Sequence, residues 1–363
     1  MFEEELITWS IDGGGRPFHR KKHKYSVTNV CGFLRIKNSN QWNYKYVHSL
    51  LEKQHNELKF DYQLKAHPSV IKKIYKLRKI PLLEQQAIAA FLDTIDEAIA
   101  TTTAHIEKLK LAKAGLLHDL LTHGMDEDGN LRDPINHPNQ FKNSELGLIP
   151  KAWNIETTEQ AAAPISGSTT IGPFGSNLVM SDYRSEGIPV VFVRDIKPSL
   201  FQWKSEVYVT FEKASELSAH SVKPGDLIAT KMGEPPCVSC VYPDWMPPGV
   251  ITADIIRLTP NLQKTTAQWL SMFINTETVA RQVRGITGGV TRAKVTLKDF
   301  RNLRVALPKL EEQTRILNAL QDFEQQIHSK ERKASKFKLL KQGLMSDLLT
   351  GRVRVEVDSS EES

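Results

Sequence analysis

Three cysteines in 363 residues, Cys31, Cys237 and Cys240, are too few for a disulfide framework and fit a reducing compartment such as the cytoplasm. No apolar run approaches the roughly 20 residues needed to cross a bilayer. Met1-Phe2-Glu3-Glu4-Glu5 also lacks the layout of a signal peptide. There is no G-x-x-x-x-G-K-[ST] loop, which argues against a nucleotide-driven motor. Neither Gly13-Gly14-Gly15 nor Gly172-Pro173-Phe174-Gly175 makes the G-x-G-x-x-G turn of a dinucleotide site. Cys237-x-x-Cys240 has no second Cys/His pair at zinc spacing. Asp126-Glu127-Asp128-Gly129-Asn130 lacks the closing glutamate of a calcium loop. No acidic cluster stands at nuclease spacing. With no catalytic or metal-ligating residue to assign, a binding role is favoured over an enzymatic one.

What the chain does have is a repeat. Set Glu84-Gln85 over Glu312-Gln313 and two segments run in step without a gap to Thr122 over Thr350. Each closes on the same tetrad, Asp119-Leu120-Leu121-Thr122 and Asp347-Leu348-Leu349-Thr350. Apolar residues recur in steps of three and four, so both copies are expected to be helices with one apolar stripe. Pro81 and Pro308 stand just before them, where proline suits a helix start, and Gly351 is a plausible stop. A helix of about forty residues spans roughly 60 Å. Ile88, Leu92, Ile95, Ile99, Leu109 and Leu116 form the stripe on the first copy, and Ile316, Leu320, Phe323, Ile327 and Leu344 form it on the second. Two matched stripes in one chain favour an antiparallel coiled coil, although each helix could instead pack on its own neighbouring domain. A partner protein competes with that packing for the same apolar residues.

Charge is unevenly distributed. Residues 1–79 carry 16 Lys/Arg against 7 Asp/Glu, and 151–305 carry 17 against 14. Residues 80–150 carry 5 against 11, and 306–363 balance at 10 each. Basic globular parts on a less basic helical scaffold suit nucleic-acid readers on a protein-binding frame. A weaker duplication places Leu227–Gly233 over Ile7–Gly13 and Gly249–Arg257 over Tyr25–Phe33. Residues 1–79 therefore look like the second half of a mixed domain whose complete copy is 151–305, so that the chain begins inside a domain. Strands are expected over 28–36, 188–196, 206–210 and 250–258, and helices over 42–59 and 265–283. The full layout is a partial domain (1–79), a long helix (80–123), a linker rich in Asp, Asn, Gly and Pro (124–150), a complete domain (151–305), a second long helix (306–351) and a tail (352–363). The fold class is α+β: two mixed α/β domains separated and followed by the two long helices.

These features resemble the specificity (S) subunit of Type I restriction–modification systems. The resemblance is carried by Ile80-Pro81-Leu82-Leu83-Glu84-Gln85-Gln86-Ala87-Ile88 and Leu307-Pro308-Lys309-Leu310-Glu311-Glu312-Gln313 at the helix starts. It is carried also by Asn143–Trp153, Gly172–Ser176, Tyr183-Arg184, Gly187-Ile188-Pro189 and Leu348–Val353. It covers nearly the whole chain and departs only at the short first domain. The resemblance implies a non-catalytic DNA reader: two target recognition domains each read half of a split, asymmetric site, and the paired helices set the gap. It also implies methyltransferase (M) subunits, two per chain, and restriction (R) subunits as partners. S-adenosylmethionine, ATP and Mg would belong to those partners, with no cofactor bound by this chain. The alternatives are a truncated or recombination-derived S fragment that reads one half-site, or a coiled-coil scaffold that does not bind DNA.

Base reading and phosphate holding need polar and cationic side chains on loops. The candidates in the complete domain are Ser176, Tyr183, Arg184, Arg194, Lys231, Thr291, Arg292 and Lys294. In the partial domain, Arg16, His19, Arg20, Lys21, Lys22 and Lys24 form a basic run suited to phosphates, although such a run is more often a solvated loop.

Overall fold

Apolar and β-branched residues near the start of the chain form a three-stranded antiparallel sheet. In it β1 (Leu6–Ser10) lies between β2 (Phe18–Arg20) and β3 (Cys31–Leu34). This sheet belongs to the first of two units in the computed structural model, which describes residues 1–58, 65–287 and 293–356. The units are Met1–Lys110 with Gln325–Ser363, and Leu111–Glu324. After the sheet come α1 (Tyr44–Glu57), α2 (Pro68–Ile74) and α3 (Leu82–Thr122). Among the described residues, no helix is long and apolar enough to cross a membrane.

The second unit opens with a hairpin, β4 (Phe141–Ser144) and β5 (Gly147–Pro150), followed by β6 (Asn154–Thr157), α4 (Thr158–Ala161), β7 (Thr169–Ile171) and β8 (Ile188–Val191). Next are β9 (Ile196–Lys197), β10 (Leu200–Phe201), β11 (Tyr208–Val209), α5 (Phe211–Glu216), β12 (Ser221–Val222), β13 (Leu227–Thr230) and β14 (Ser239–Val241). It continues through β15 (Gly249–Ile251), β16 (Ile255–Leu258), α6 (Ala267–Ile274), α7 (Glu277–Thr287), α8 (Leu297–Arg301) and β17 (Arg304–Leu307) into α9 (Leu310–Thr350). Two four-stranded sheets, β11-β8-β15-β12 and β14-β13-β16-β7, form its centre, and β17 pairs with β6.

The weaker duplication is visible as strand register. Ile7, Thr8, Trp9 and Ser10 of β1 face Leu34, Phe33, Gly32 and Cys31 of β3. Leu227, Ile228, Ala229 and Thr230 of β13 face Leu258, Arg257, Ile256 and Ile255 of β16 in the same order. At one rung the sizes are exchanged. Trp9 lies against Gly32, where an added Cβ would come within 2.3 Å of the indole, while the second unit sets Ala229 against Ile256. The frames differ at the edge: β16 is covered by β7, whereas β3 has no strand on its outer side among the described residues.

Each frame is tied to its long helix by the same bonds. The Gln85 side chain accepts from the Asn43 backbone N–H (2.9 Å) and donates to the carbonyls of Gln41 (2.9 Å) and Ile80 (2.8 Å). Gln313 accepts from the Thr265 hydroxyl (3.0 Å) and donates to the carbonyls of Lys264 (2.8 Å) and Pro308 (2.9 Å). Both glutamines are fully buried, so each amide must find its partners inside the protein. The buried rings of Tyr46 and Trp269 likewise donate to the Arg78 and Ala306 carbonyls, both at 3.0 Å.

The glutamates beside those glutamines clamp the segment that follows the other helix. Glu312 accepts from Arg132 Nη1 (2.5 Å) and Nη2 (3.1 Å), from Trp153 Nε1 (3.0 Å) and from the Met125 N–H (3.0 Å). Glu84 accepts from Arg354 Nε (2.6 Å) and Nη2 (2.7 Å). Gly351, at φ +74°, ends α9 in the left-handed conformation that glycine adopts freely.

Within each unit the two long helices run antiparallel. Lys341 meets Asp96 at 2.7 Å and Lys110 meets Glu331 at 3.2 Å in the first unit, and Lys113 meets Glu324 at 2.5 Å in the second. Both expected packing modes are present. Ile88 and Leu92 are buried with Tyr46, Val47, Leu348 and Leu349, so head and helix pair share one core. Ile316 and Leu320 are buried with Leu120, Leu121, Trp153 and Trp269 in the second unit. Ile95, Ile99, Leu109, Leu116, Phe323, Ile327 and Leu344 are half-buried. Burying a whole leucine or isoleucine side chain contributes about 1.5–3 kcal/mol, so these ends anchor the scaffold.

The local elements depart from the sequence reading in several places. The stretch 250–258 is two strands, β15 and β16, in two different sheets. The Ile255 N–H bonds to the Thr252 carbonyl at 3.0 Å, turning the chain between them. The helix expected over 265–283 is α6 and α7, separated where the Asn275 side chain donates to the Ser271 and Ser239 carbonyls, both at 2.8 Å. The polar stretch 124–150 contains the β4–β5 hairpin, which buries Phe141 and Ile149.

Candidate nucleic-acid interface

In the second unit the geometry gathers most of the candidates on one rim. A cleft of about 340 Å³ is lined by Pro173, Gly175, Tyr183, Phe192, Arg194 and Asp254, among others. Tyr183 meets Phe192 edge-on at 5.7 Å, and the Arg194 guanidinium lies over the Phe192 ring at 4.4 Å. Such stacking holds a cation in place while leaving its edge available for an anion.

Arg194 is held from below. Its Nε donates to Ser205 Oγ at 2.8 Å, and that hydroxyl donates to Asp195 Oδ2 at 2.6 Å. Asp195 is fully buried and also accepts the N–H groups of Phe192, Lys204 and Ser205, each at 2.9 Å. One carboxylate therefore fixes both loops that present Arg194.

Lys231 joins this rim through the backbone. Its N–H donates to the Asp254 carbonyl at 2.7 Å, and its carbonyl accepts the Val295 N–H at 2.9 Å. A bridge between Met232 and Lys294 then brings the two lysines together. Burial, and next the charge of Lys294, push the Lys231 ammonium below its ordinary range, and Asp254 offsets only part of this. Two lysines that repel one another are relieved by an anion between them, which suits a phosphate.

Ser176 is exposed, one residue past Gly175 on the cleft wall. The Arg184 guanidinium donates to the Ser181 and Tyr183 carbonyls, both at 2.8 Å, so much of it is committed to its own turn. Thr291 and Arg292 lie outside the described residues. The residues that sequence reasoning missed are Phe192, Asp195, Ser205 and Asp254. An aromatic residue two positions before an arginine was the only available signal for the first, and the rest depend on chain segments brought together by folding.

In the first unit the basic run divides. Arg20, Lys21, Lys22 and Lys24 are exposed, and Lys21 and Lys22 border a groove of about 560 Å³ with Tyr44 and Asp93. Arg16 and Arg20 flank the Phe18 ring at 6.0 and 5.7 Å, and Arg16 also lies 3.6 Å from Glu52. His19 lines the same groove but is mostly buried, with its Nε2 2.6 Å from Glu5. Beneath them Lys45 bonds Asp93 (2.7 Å) and Asp96 (2.9 Å), and Lys341 bonds Asp96 (2.7 Å) and Glu52 (3.4 Å). Burial works against the Asp96 charge, but the bonds from Lys341 and Lys45 outweigh it and hold the carboxyl below its usual range. Burial pushes the neighbouring His48 below the ordinary histidine range.

The two close cysteines pack into different apolar clusters, and burial pushes both thiols up to about 12. Among the described residues no group of three or more His, Cys, Asp or Glu side chains is placed to hold a metal ion.

Comparison with known proteins places this geometry. The Type I restriction modification DNA specificity domain matches residues 1–111 and 249–336, more than half of the chain. The type I restriction enzyme MjaVIII specificity subunit of Methanocaldococcus jannaschii is 24% identical over 364 residues, 97% of this chain and 79% of that protein. The putative MjaX specificity subunit of the same organism is 25% identical over 283 residues, 76% of this chain and 59% of its own length. Among solved structures, the Type I restriction-modification S subunit from M. genitalium shares the fold with a TM-score of 0.53 at 12% identity, over 96% of this chain and 83% of that one.

Proposed function

The chain belongs to the Type I restriction modification DNA specificity family, the non-catalytic sequence-reading subunits of those systems, and we propose that it reads a split, asymmetric DNA site through its two heads. One observation carries this reading: the same sheet register, buried glutamine and ring-to-carbonyl bond occur twice, beneath rims of unrelated sequence. A common frame docks two heads in the same manner, and different rims read different bases, as half-sites are read by paired domains. In the complete head Arg194, Lys231, Lys294 and Tyr183 contact DNA, with Ser176 beside them. In the first head Arg16, Arg20, Lys21, Lys22 and Lys24 hold phosphates. The long helices separate the half-sites and carry two M subunits, with R subunits joining that complex in the cytoplasm. S-adenosylmethionine, ATP and Mg belong to those partners.

A second reading is favoured by the uncovered outer edge of β3: the first head binds phosphates without reading bases, and the complete head alone gives specificity. Mapping methylated adenines in cells that carry this chain and its M subunit separates the two. A two-part asymmetric motif supports the first reading, and a single undivided motif supports the second. Methylation unchanged on deleting the chain would refute both.

A further inference from the structure

The rim of the complete head carries one charge that holding phosphates does not call for. Asp254 lines the same cleft as Arg194, yet its carboxylate makes no hydrogen bond or ion pair among the described residues. A carboxylate in that position repels a phosphate and works against the lysines beside it. It is of use only where the cleft meets something other than the DNA backbone.

Both charges stand on supports that fix them. The Thr252 N–H and hydroxyl donate to the Val191 carbonyl at 3.1 and 3.0 Å, tying the turn that carries Asp254 to the end of β8, one residue before Phe192. On its other side that turn abuts Gly172, which leaves no room there for a side chain. The turn with Asp254 and the loop with Arg194 are therefore held at a set spacing. Arg194 gives its Nε to Ser205 and one face of its guanidinium to Phe192. What remains is its pair of terminal nitrogens, parallel donors that have no partner among the described residues.

We propose that Arg194 and Asp254 together read one G·C base pair in the major groove. The terminal nitrogens of Arg194 donate to guanine O6 and N7, and the Asp254 carboxylate accepts from cytosine N4. The inference rests on the DNA-reading proposal above and divides the labour of that rim: Lys231 and Lys294 hold phosphates, and the arginine–aspartate pair supplies sequence. The bond from the Lys231 N–H to the Asp254 carbonyl joins the two tasks. Guanine is the match because its two acceptors lie side by side, as the two free nitrogens do, and only a G·C pair sets an amino donor next to them.

Selection from randomised duplexes by the purified complex of the full chain with its M subunit tests this. The unaltered complex is expected to select a G·C pair at one position that Arg194→Ala and Asp254→Ala each relax, with binding of the selected duplex weakened about tenfold or more. Neither substitution should lower the salt slope, because neither removes a phosphate contact. Replacing that guanine with 7-deazaguanine deletes the N7 acceptor without altering the protein. It should weaken binding by the unaltered complex and cause no further loss in Arg194→Ala. If either substitution leaves the base preference intact, if the two relax different positions, or if 7-deazaguanine binds as tightly as guanine, the assignment is wrong and the DNA-reading proposal stands. A salt slope reduced by about 0.9 in Arg194→Ala would make that residue a phosphate contact and overturn it equally. If the unaltered complex shows no sequence preference, the DNA-reading proposal falls and this inference falls with it.

Discussion

Glu312 and Glu84 occupy the same position of a duplicated helix, which provides an internal control for the cost of breaking a buried clamp. In Glu312→Ala the Arg132 side chain, only 14% exposed, is left without its carboxylate, and the fully buried Trp153 loses the acceptor for its Nε1. Breaking a buried ion pair costs about 3–5 kcal/mol, and a buried donor left unmade costs about 1–3 kcal/mol. The two losses overlap because they share one carboxylate, so about 4 kcal/mol is expected. At about 2–4 °C per kcal/mol for a unit of this size, the melting temperature should fall by roughly 10 °C. Glu84→Ala should cost far less, because the side chain of Arg354 is 58% exposed and returns to water when its partner is removed. Thermal unfolding followed by tryptophan fluorescence reports both units, since Trp9 lies in the core of the first and Trp153 and Trp269 pack edge to face at 5.8 Å in the second. Equal losses for the two variants, or a loss below about 1 kcal/mol for Glu312→Ala, would refute the reasoning that burial decides the cost.

Three further outcomes are expected. Lys231→Ala and Lys294→Ala should each reduce the salt slope of duplex binding by the M–S complex by about 0.9 if each lysine holds one phosphate. Arg184→Ala should leave that slope unchanged, because its guanidinium is committed to the Ser181 and Tyr183 carbonyls. Gln85→Leu and Gln313→Leu should each destabilise their own unit by about 2 kcal/mol, since each leaves one buried and one partly buried carbonyl without its side-chain donor. The first unit should also lose stability on acidification. His48 is held neutral, so its contribution is full above the unfolded value of about 6.5 and declines as pH falls toward the lowered folded value. Asp96 is held charged, so its contribution persists to lower pH and is lost only as pH falls through its depressed value. Melting curves between pH 7 and pH 5 should flatten in His48→Gln; an unchanged slope there would remove histidine from the explanation.

The repeat was legible because helix periodicity and strict residue matching are both local. Aligning Glu84-Gln85 with Glu312-Gln313 leads to two helices, Leu82–Thr122 and Leu310–Thr350, that begin and end in register. The pairing of β1 with β3 could likewise be inferred from β13 and β16, because apolar patterns preserve register. Residues 250–258 read as one strand because both halves are apolar, and nothing local shows that Thr252–Asp254 passes between sheets. The rim around Arg194 was legible only in part. Its cations are visible in sequence, but the Asp195 carboxylate that holds them looks like any surface acid until folding buries it.

The exchanged rung, Trp9 against Gly32 in one head and Ala229 against Ile256 in the other, limits how such chains can be shuffled. A crossover between β1 and β3 would place the Trp9 indole against Ile256, with no room for either, or set Ala229 over Gly32 and leave a hole. Overfilling typically costs about 1–3 kcal/mol, and the loss of several methylenes costs a similar amount or more. Viable chimeras should therefore inherit each head whole, with their junctions in the long helices, where Asp119–Thr122 and Asp347–Thr350 are interchangeable residue for residue. The duplicated scaffold thus marks where recombination can cut, and the paired rung marks where it cannot.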